Sequence, residues 1–339
     1  METDLNKKDN SVDNTESSEL IKCEKNEIIF SSFKLIFQPY LFLLSFVKQK
    51  LSLRNIYLPF AYLEKVKRKN EKYTLKMILW DDIPILLLAF SIPATNFFLH
   101  GISIILLLVS FWCIYELGYY ENDYVAQKYE SEPKLSGAYY AHQQMMETVY
   151  PLLWSLMFGL IGVILLEKAG ITHPSFAILI EQKISFLNPT ILTYLSWITF
   201  LVCMRCCFFI YNYVNKQTRA WLYIVLQSFR YYGFLVMTAT NLIGITLLSS
   251  HILSRSMLYI VYRYSGGNSR NWPREIPEKF LRFSIFIFML TSISFGSQSL
   301  ELWQSWQTLT IVAWCAIQGQ GQIQRVLSQF RLVHQDGSN

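Results

Sequence analysis

Residues 101–130 read GISIILLLVSFWCIYELGYYENDYVAQKYE. No charge appears from Gly101 to Tyr115, and four carboxylates then follow in quick succession: Glu116, Glu121, Asp123 and Glu130. A charge-free apolar run of this kind reads as a helix in a membrane. Carboxylates at the mouth of such a helix are costly to place, so they usually have something to bind. A divalent cation with an anionic substrate is the obvious candidate.

The surrounding composition agrees with a membrane setting. The 339-residue chain is 52% hydrophobic and only 16% charged, whereas soluble domains carry about a quarter charged residues. Several more apolar runs approach spanning length, which predicts an all-α, polytopic integral membrane bundle. The strict alternation of an outer-membrane barrel is missing. The net charge of +6 does not point to nucleic acid. The basic residues cluster in loops beside the apolar runs, where they set topology and touch anionic headgroups. Four of the six cysteines (Cys113, Cys203, Cys206, Cys207) lie in or beside hydrophobic segments, which argues against a disulfide framework. The C-x-x-C spacing within LVCMRCCFFI lacks the polar knuckles of a zinc site.

Along the chain we expect four regions. Residues 1–27 are polar, without the apolar core of a signal peptide, and read as a disordered cytoplasmic tail. Residues 28–79 read as an interfacial amphipathic helix at 28–47, with a true span as the alternative, followed by a basic cytoplasmic segment. Residues 80–320 form the transmembrane domain, with spans near 82–98, 102–120, 147–167, 189–211, 220–238, 242–263, 281–298 and 303–320. The stretch 220–263 is divided at Thr240-Asn241 because a single crossing would place Arg263, Arg270, Arg274 and Lys279 outside. Residues 321–339 are a cytoplasmic tail. The expected protein is multi-pass, of about eight helices, in the cell inner membrane with both termini cytoplasmic.

This topology gathers loops 121–146, 212–219 and 264–280 on one face. If the helix continues past Asp123, then Asp123 and Glu130 sit two turns apart on one side, with the amide of Asn122 beside them. Hard oxygen ligands of this kind suit Mg²⁺, which fills its shell with water and substrate phosphates. Glu116 and Glu121 are possible helpers. Lys216 and Arg219, three apart, could face phosphate from the start of a helix. In the third loop, Gly266-Gly267 and Asn268 can present backbone N–H groups, and Arg270 can add charge. Arg230 lies inside a predicted span and needs a polar partner, for which Glu116 is a sensible choice.

The order of these parts resembles the UbiA superfamily of intramembrane prenyltransferases over residues 80–320. That family has an N-D-x-x-D-x-x-x-D motif after its second helix. Asn122-Asp123-Tyr124-Val125-Ala126-Gln127-Lys128-Tyr129-Glu130 falls in that place, keeping Asn122 and Asp123, with Ala126 for the middle aspartate and Glu130 for the last. Tyr211 or Tyr213 with Lys216, then Gln227, resembles the diphosphate-contacting segment. The third loop stands where a second aspartate motif belongs, with only Glu275 and Glu278 as acids. The resemblance implies Mg²⁺-assisted transfer involving an isoprenoid or polyprenyl (di)phosphate at the cytoplasmic face. Asn122, Asp123 and Glu130 would then be catalytic cation-site residues, and Lys216, Arg219 and Arg270 phosphate contacts. On this reading Asp123→Ala abolishes transfer and leaves folding intact. The alternatives are a catalytically degenerate member that binds a lipid or an assembly partner and, last, a transporter.

Overall fold

Thirty-three consecutive residues without a proline, Phe97–Tyr129, form one uninterrupted α-helix. The computed structural model describes residues 58–67, 72, 74–131, 133, 135–142, 148–170, 188–264 and 277–329. The expected interfacial helix at 28–47, the N-terminal tail, residues 330–339 and residues 265–276 of the third loop, with Arg270, lie outside the described residues. Among those described, eight long helical segments follow in order. Thr74–Asp82, Ile83–Leu86 and Leu87–Ser91 abut to form α1, and α2 is Phe97–Tyr129. Then come α3 Val149–Lys168, α4 Pro189–Tyr213, α5 Lys216–Tyr232, α6 Leu242–Tyr264, α7 Glu278–Gly296 and α8 Trp306–Gln329. The described residues contain no strand. Five of these helices, α2, α3, α4, α6 and α7, are long and apolar enough to cross a membrane. The described part is all-helical, and its five helices of spanning length make the chain a multi-pass membrane protein.

The surface fits a lipid solvent. Phe98, Phe288, Phe295 and Ile317 are each at least 73% exposed, while the buried set includes three aspartate or glutamate side chains of α2 and two of α1. In water this inversion would be unstable. In hydrocarbon it is expected, because apolar side chains there lose nothing by facing outward.

Several boundaries differ from the sequence expectation, among them that of α8, which runs on to Gln329 through the start of the expected C-terminal tail. The first helix begins at Thr74 rather than near 82 and ends at Ser91. Pro93 disfavours continued helix in the residue before it, and the Asn96 side chain then caps α2 by accepting from the Leu99 N–H at 3.2 Å. Within α1, Pro84 has no N–H to give the Trp80 carbonyl. Gln318 supplies one instead, Nε2 to O at 3.1 Å, and wider helical turns flank the proline. Residues 121–129 continue α2 instead of starting a loop. The 212–219 loop shrinks to Val214 and Asn215, where Asn215 caps α5 through the Thr218 N–H at 2.8 Å. The expected division of 220–263 is observed as α5 with a 3₁₀ turn, Gly233–Val236, then α6.

The core is aromatic. Phe111, Trp112, Tyr115, Trp197, Phe200, Phe208 and Phe234 are all buried, and α2 runs through their centre. Gly118 lets α4 approach α2: a Cβ there would lie 2.5 Å from the Phe208 ring. Gly118→Ala is therefore expected to cost about 1–3 kcal/mol by overpacking. Unfolding in detergent checks this, and an unchanged midpoint would contradict the packing account.

Candidate functional site

Glu116 and Asp123 lie two turns apart on one side of α2, and Glu130, seven residues further on, is its C-terminal cap. Each holds a different piece of chain. Glu116 accepts the Phe60 and Leu63 backbone N–H groups at 2.8 and 2.9 Å. Asp123 accepts the Tyr62 hydroxyl at 2.6 Å and Lys67 Nζ at 2.5 Å. The helical turn Leu63–Lys67 is thereby fastened along α2 by two carboxylates. Glu130 accepts Arg219 Nη1 at 2.7 Å, with Lys216 Nζ 3.4 Å from its other oxygen. Glu121, on a neighbouring side of α2, takes Arg205 Nη1 at 2.7 Å and Asn212 Nδ2 at 2.9 Å from α4.

Arg219 uses every edge of its guanidinium. Besides Glu130, it donates Nη2 to the Asn212 carbonyl at 2.8 Å and Nε to the Val214 carbonyl at 3.1 Å. It closes the tight junction between α4 and α5. Burial opposes ionisation of Glu130, but the Arg219 hydrogen bond and charge, with Lys216 behind them, outweigh it and hold its carboxyl below the ordinary range. A depressed carboxylate pairs fully at neutral pH and lets go only as pH falls through its lowered value. Tyr62 is pushed far above the ordinary phenol range by burial first and by Asp123 next. It stays protonated as the donor to Asp123.

Beside these pairs lies a cavity of about 400 Å³. It is lined from the end of α2 by Asn122, Asp123, Ala126 and Glu130, from the start of α5 by Lys216 and Arg219, and from the end of α6 by Arg263. Lys67 and Tyr211 also line it, with Tyr262 and Tyr264 beside Arg263. Five of the six residues nominated from sequence thus come together, and Arg270 lies outside the described residues. The sequence reading missed Lys67 and Arg263. Arg263 makes no ion pair among the described residues; its Nε donates to the Tyr259 hydroxyl at 2.8 Å, and that hydroxyl lies 2.7 Å from the Tyr211 hydroxyl. Four cationic side chains face two carboxylates in this lining, a formal surplus of two positive charges.

A Mg²⁺ ion on these carboxylates would have to displace basic side chains. Both oxygens of Asp123 and both of Glu130 are engaged by lysine, arginine or tyrosine donors. No group of three His, Cys, Asp or Glu side chains among the described residues could hold a metal ion. Basic side chains occupy the carboxylates that a cation would need.

A second polar centre, of which the sequence reading singled out only Arg230, is buried deeper. Asp82 is fully buried and forms a hydrogen-bonded ion pair with Arg230, which is 2% exposed. Asp82 also accepts the Tyr231 hydroxyl at 2.7 Å and Trp112 Nε1 at 3.2 Å. The partner expected for Arg230 was Glu116; Glu116 is instead held by the 60–63 backbone. Asp81 accepts Arg282 Nη1 at 2.8 Å and lies 3.6 Å from Arg255, which also donates to Glu278 at 2.9 Å. His251 joins the two pairs, with Nε2 2.7 Å from the Tyr231 hydroxyl and Nδ1 3.2 Å from Arg282. Because Tyr231 gives its proton to Asp82 and Arg282 can only donate, His251 is neutral with its proton on Nε2. The signal that could have found this centre was plain: Asp82, Arg230, Arg255 and Arg282 all fall inside predicted spans.

Compared with models of protein families, with curated proteins and with solved structures, the chain matches none.

Proposed function

We propose that this protein binds the phosphate end of an isoprenoid or polyprenyl lipid in the cavity between α2, α5 and α6, and that it is a UbiA-like intramembrane transferase acting on that lipid. The observation that carries this is the convergence of Asn122, Asp123, Glu130, Lys216 and Arg219 on one cavity with surplus positive charge. Phosphate oxygens are recognised by such lysine and arginine clusters. The apolar tail would run along the lipid-exposed helices, and the neighbouring tyrosines would shield the headgroup from water.

In this reading all eight long helices cross the membrane, both termini are cytoplasmic, and the cavity opens at the cytoplasmic face. Lys216 contacts the phosphate and Arg219, held by Glu130, adds its charge beside it, while Asp123 positions Lys67 from the other side. Asp123 also anchors the segment bearing Tyr62, so Asp123→Ala should loosen the fold as well as reduce binding. That revises the expectation of an intact fold.

A second reading, a non-catalytic lipid binder, is favoured by the engaged carboxylates. Purified protein in lipid nanodiscs, given labelled prenyl mono- and diphosphates with a broad acceptor panel, separates the two. Labelled product supports transfer. Binding without product under every condition supports the binder and overturns the transferase.

A further inference from the structure

The charge arrangement in the cavity reaches further than the lipid class. Mg²⁺ is ordinarily recruited to a phosphate site by free carboxylate oxygens. Here Lys67 and Tyr62 take both oxygens of Asp123, and Arg219 and Lys216 take both of Glu130. The cations that neutralise the ligand are therefore already built into the wall. Arg263 makes no ion pair among the described residues, and the Lys216 side chain is 57% exposed with a long contact to Glu130. These two have charge left over for a ligand.

Resting on the reading of the cavity as a lipid-phosphate site, we propose that it binds a lipid phosphomonoester directly on Lys216 and Arg263, without a divalent cation. The surplus of two positive charges matches a phosphomonoester, which carries about −1.5 to −2 near neutral pH. A phosphodiester headgroup, with one negative charge, leaves the surplus half unmet. A prenyl diphosphate exceeds it. Arginine can engage two phosphate oxygens side by side, and lysine adds a point charge. The roughly 400 Å³ of space holds the phosphate and the first part of its chain, within the usual size range of ligand pockets.

The test uses full-length protein in nanodiscs and four probes: farnesyl monophosphate, farnesyl diphosphate, inorganic phosphate and farnesol. Each is titrated in EDTA and again in Mg²⁺. Farnesyl monophosphate is expected to bind equally well in both buffers, more tightly than the diphosphate in EDTA, and far more tightly than inorganic phosphate or farnesol. Arg263→Gln should weaken it about tenfold, the effect of losing a charged hydrogen bond, and Arg263→Lys should recover part of the loss. Lys216→Gln, an exposed and structurally lighter change, should weaken it about threefold. Unchanged melting of both variants shows that folding is not the cause.

Binding that appears only with Mg²⁺ would overturn the direct contact while leaving the lipid-phosphate reading intact. Tighter binding of the diphosphate in EDTA would overturn the charge match. Inorganic phosphate binding as well as the lipid would overturn the lipid specificity. Failure of both phosphorylated lipids in both buffers would overturn this inference and the proposed function together.

Discussion

Asp82→Ala is expected to cost about 3–5 kcal/mol of stability, the penalty for leaving a buried charge without its partner. Arg230 is 2% exposed, and its Nε and Nη2 both point at Asp82 Oδ2. Truncating the carboxylate removes this ion-pair partner from a guanidinium that also lies beside the rings of Trp112 and Tyr115. The ring faces supply some cation–π attraction, but only about 2 kcal/mol when desolvated. Tyr231 and Trp112 lose an acceptor at the same moment. A paired apolar replacement, Asp82→Leu with Arg230→Met, should lose less than either single change, since no charge remains to be desolvated. Unfolding in mixed micelles measures Asp82→Ala, the two single changes and the double. A double variant as unstable as the sum of the singles would show no coupling between the two side chains and would contradict the ion-pair account.

Arg219→Gln should have the second-largest effect, and on two readouts. The guanidinium ties Glu130 of the α2 end to the Asn212 and Val214 carbonyls of the α4–α5 junction. Loss of the charged hydrogen bond to Glu130 alone is expected to cost about 1.5–3 kcal/mol. The same change leaves Glu130 with its longer contact to Lys216 and removes one of the cavity's four cations. Binding of a phosphorylated lipid should therefore fall by about 10- to 100-fold, the same interaction energy read as an equilibrium constant. The pairing of Glu130 survives down to its lowered pKa, so the stability gap between wild type and variant should hold at neutral pH and close as the solution is acidified through that value. A variant with wild-type stability and affinity would remove Arg219 from both roles.

What the sequence conveyed depended on whether the relevant signal was local. The charge-free run before Glu116 sufficed for a membrane helix, and the positive-inside argument over Arg263 and Lys279 sufficed to divide 220–263 into two helices. The seven-residue spacing of Asp123 and Glu130 placed both toward the end of α2, and Lys216 with Arg219 fell at the start of α5 beside them. Pairing was another matter. Asp82 meets Arg230 across 148 residues, and Asp81 meets Arg282 across 201. No periodicity reports such contacts. Lys67 was hidden because it sits in a basic stretch that reads equally well as a headgroup anchor. The carboxylates were legible as binding groups, but what they bind is largely the chain itself: a backbone segment, a tyrosine, two lysines and two arginines.

The occupant of the cavity is most directly identified by mass spectrometry of the lipids that remain with the protein when it is extracted in native membrane discs. Wild-type discs should be enriched in a phosphorylated isoprenoid over the surrounding membrane, and the Lys216→Gln/Arg263→Gln double variant should carry it only at background. Matching lipid profiles in the two preparations, with ordinary phospholipids and no phosphorylated isoprenoid in either, would contradict a phosphate-binding cavity.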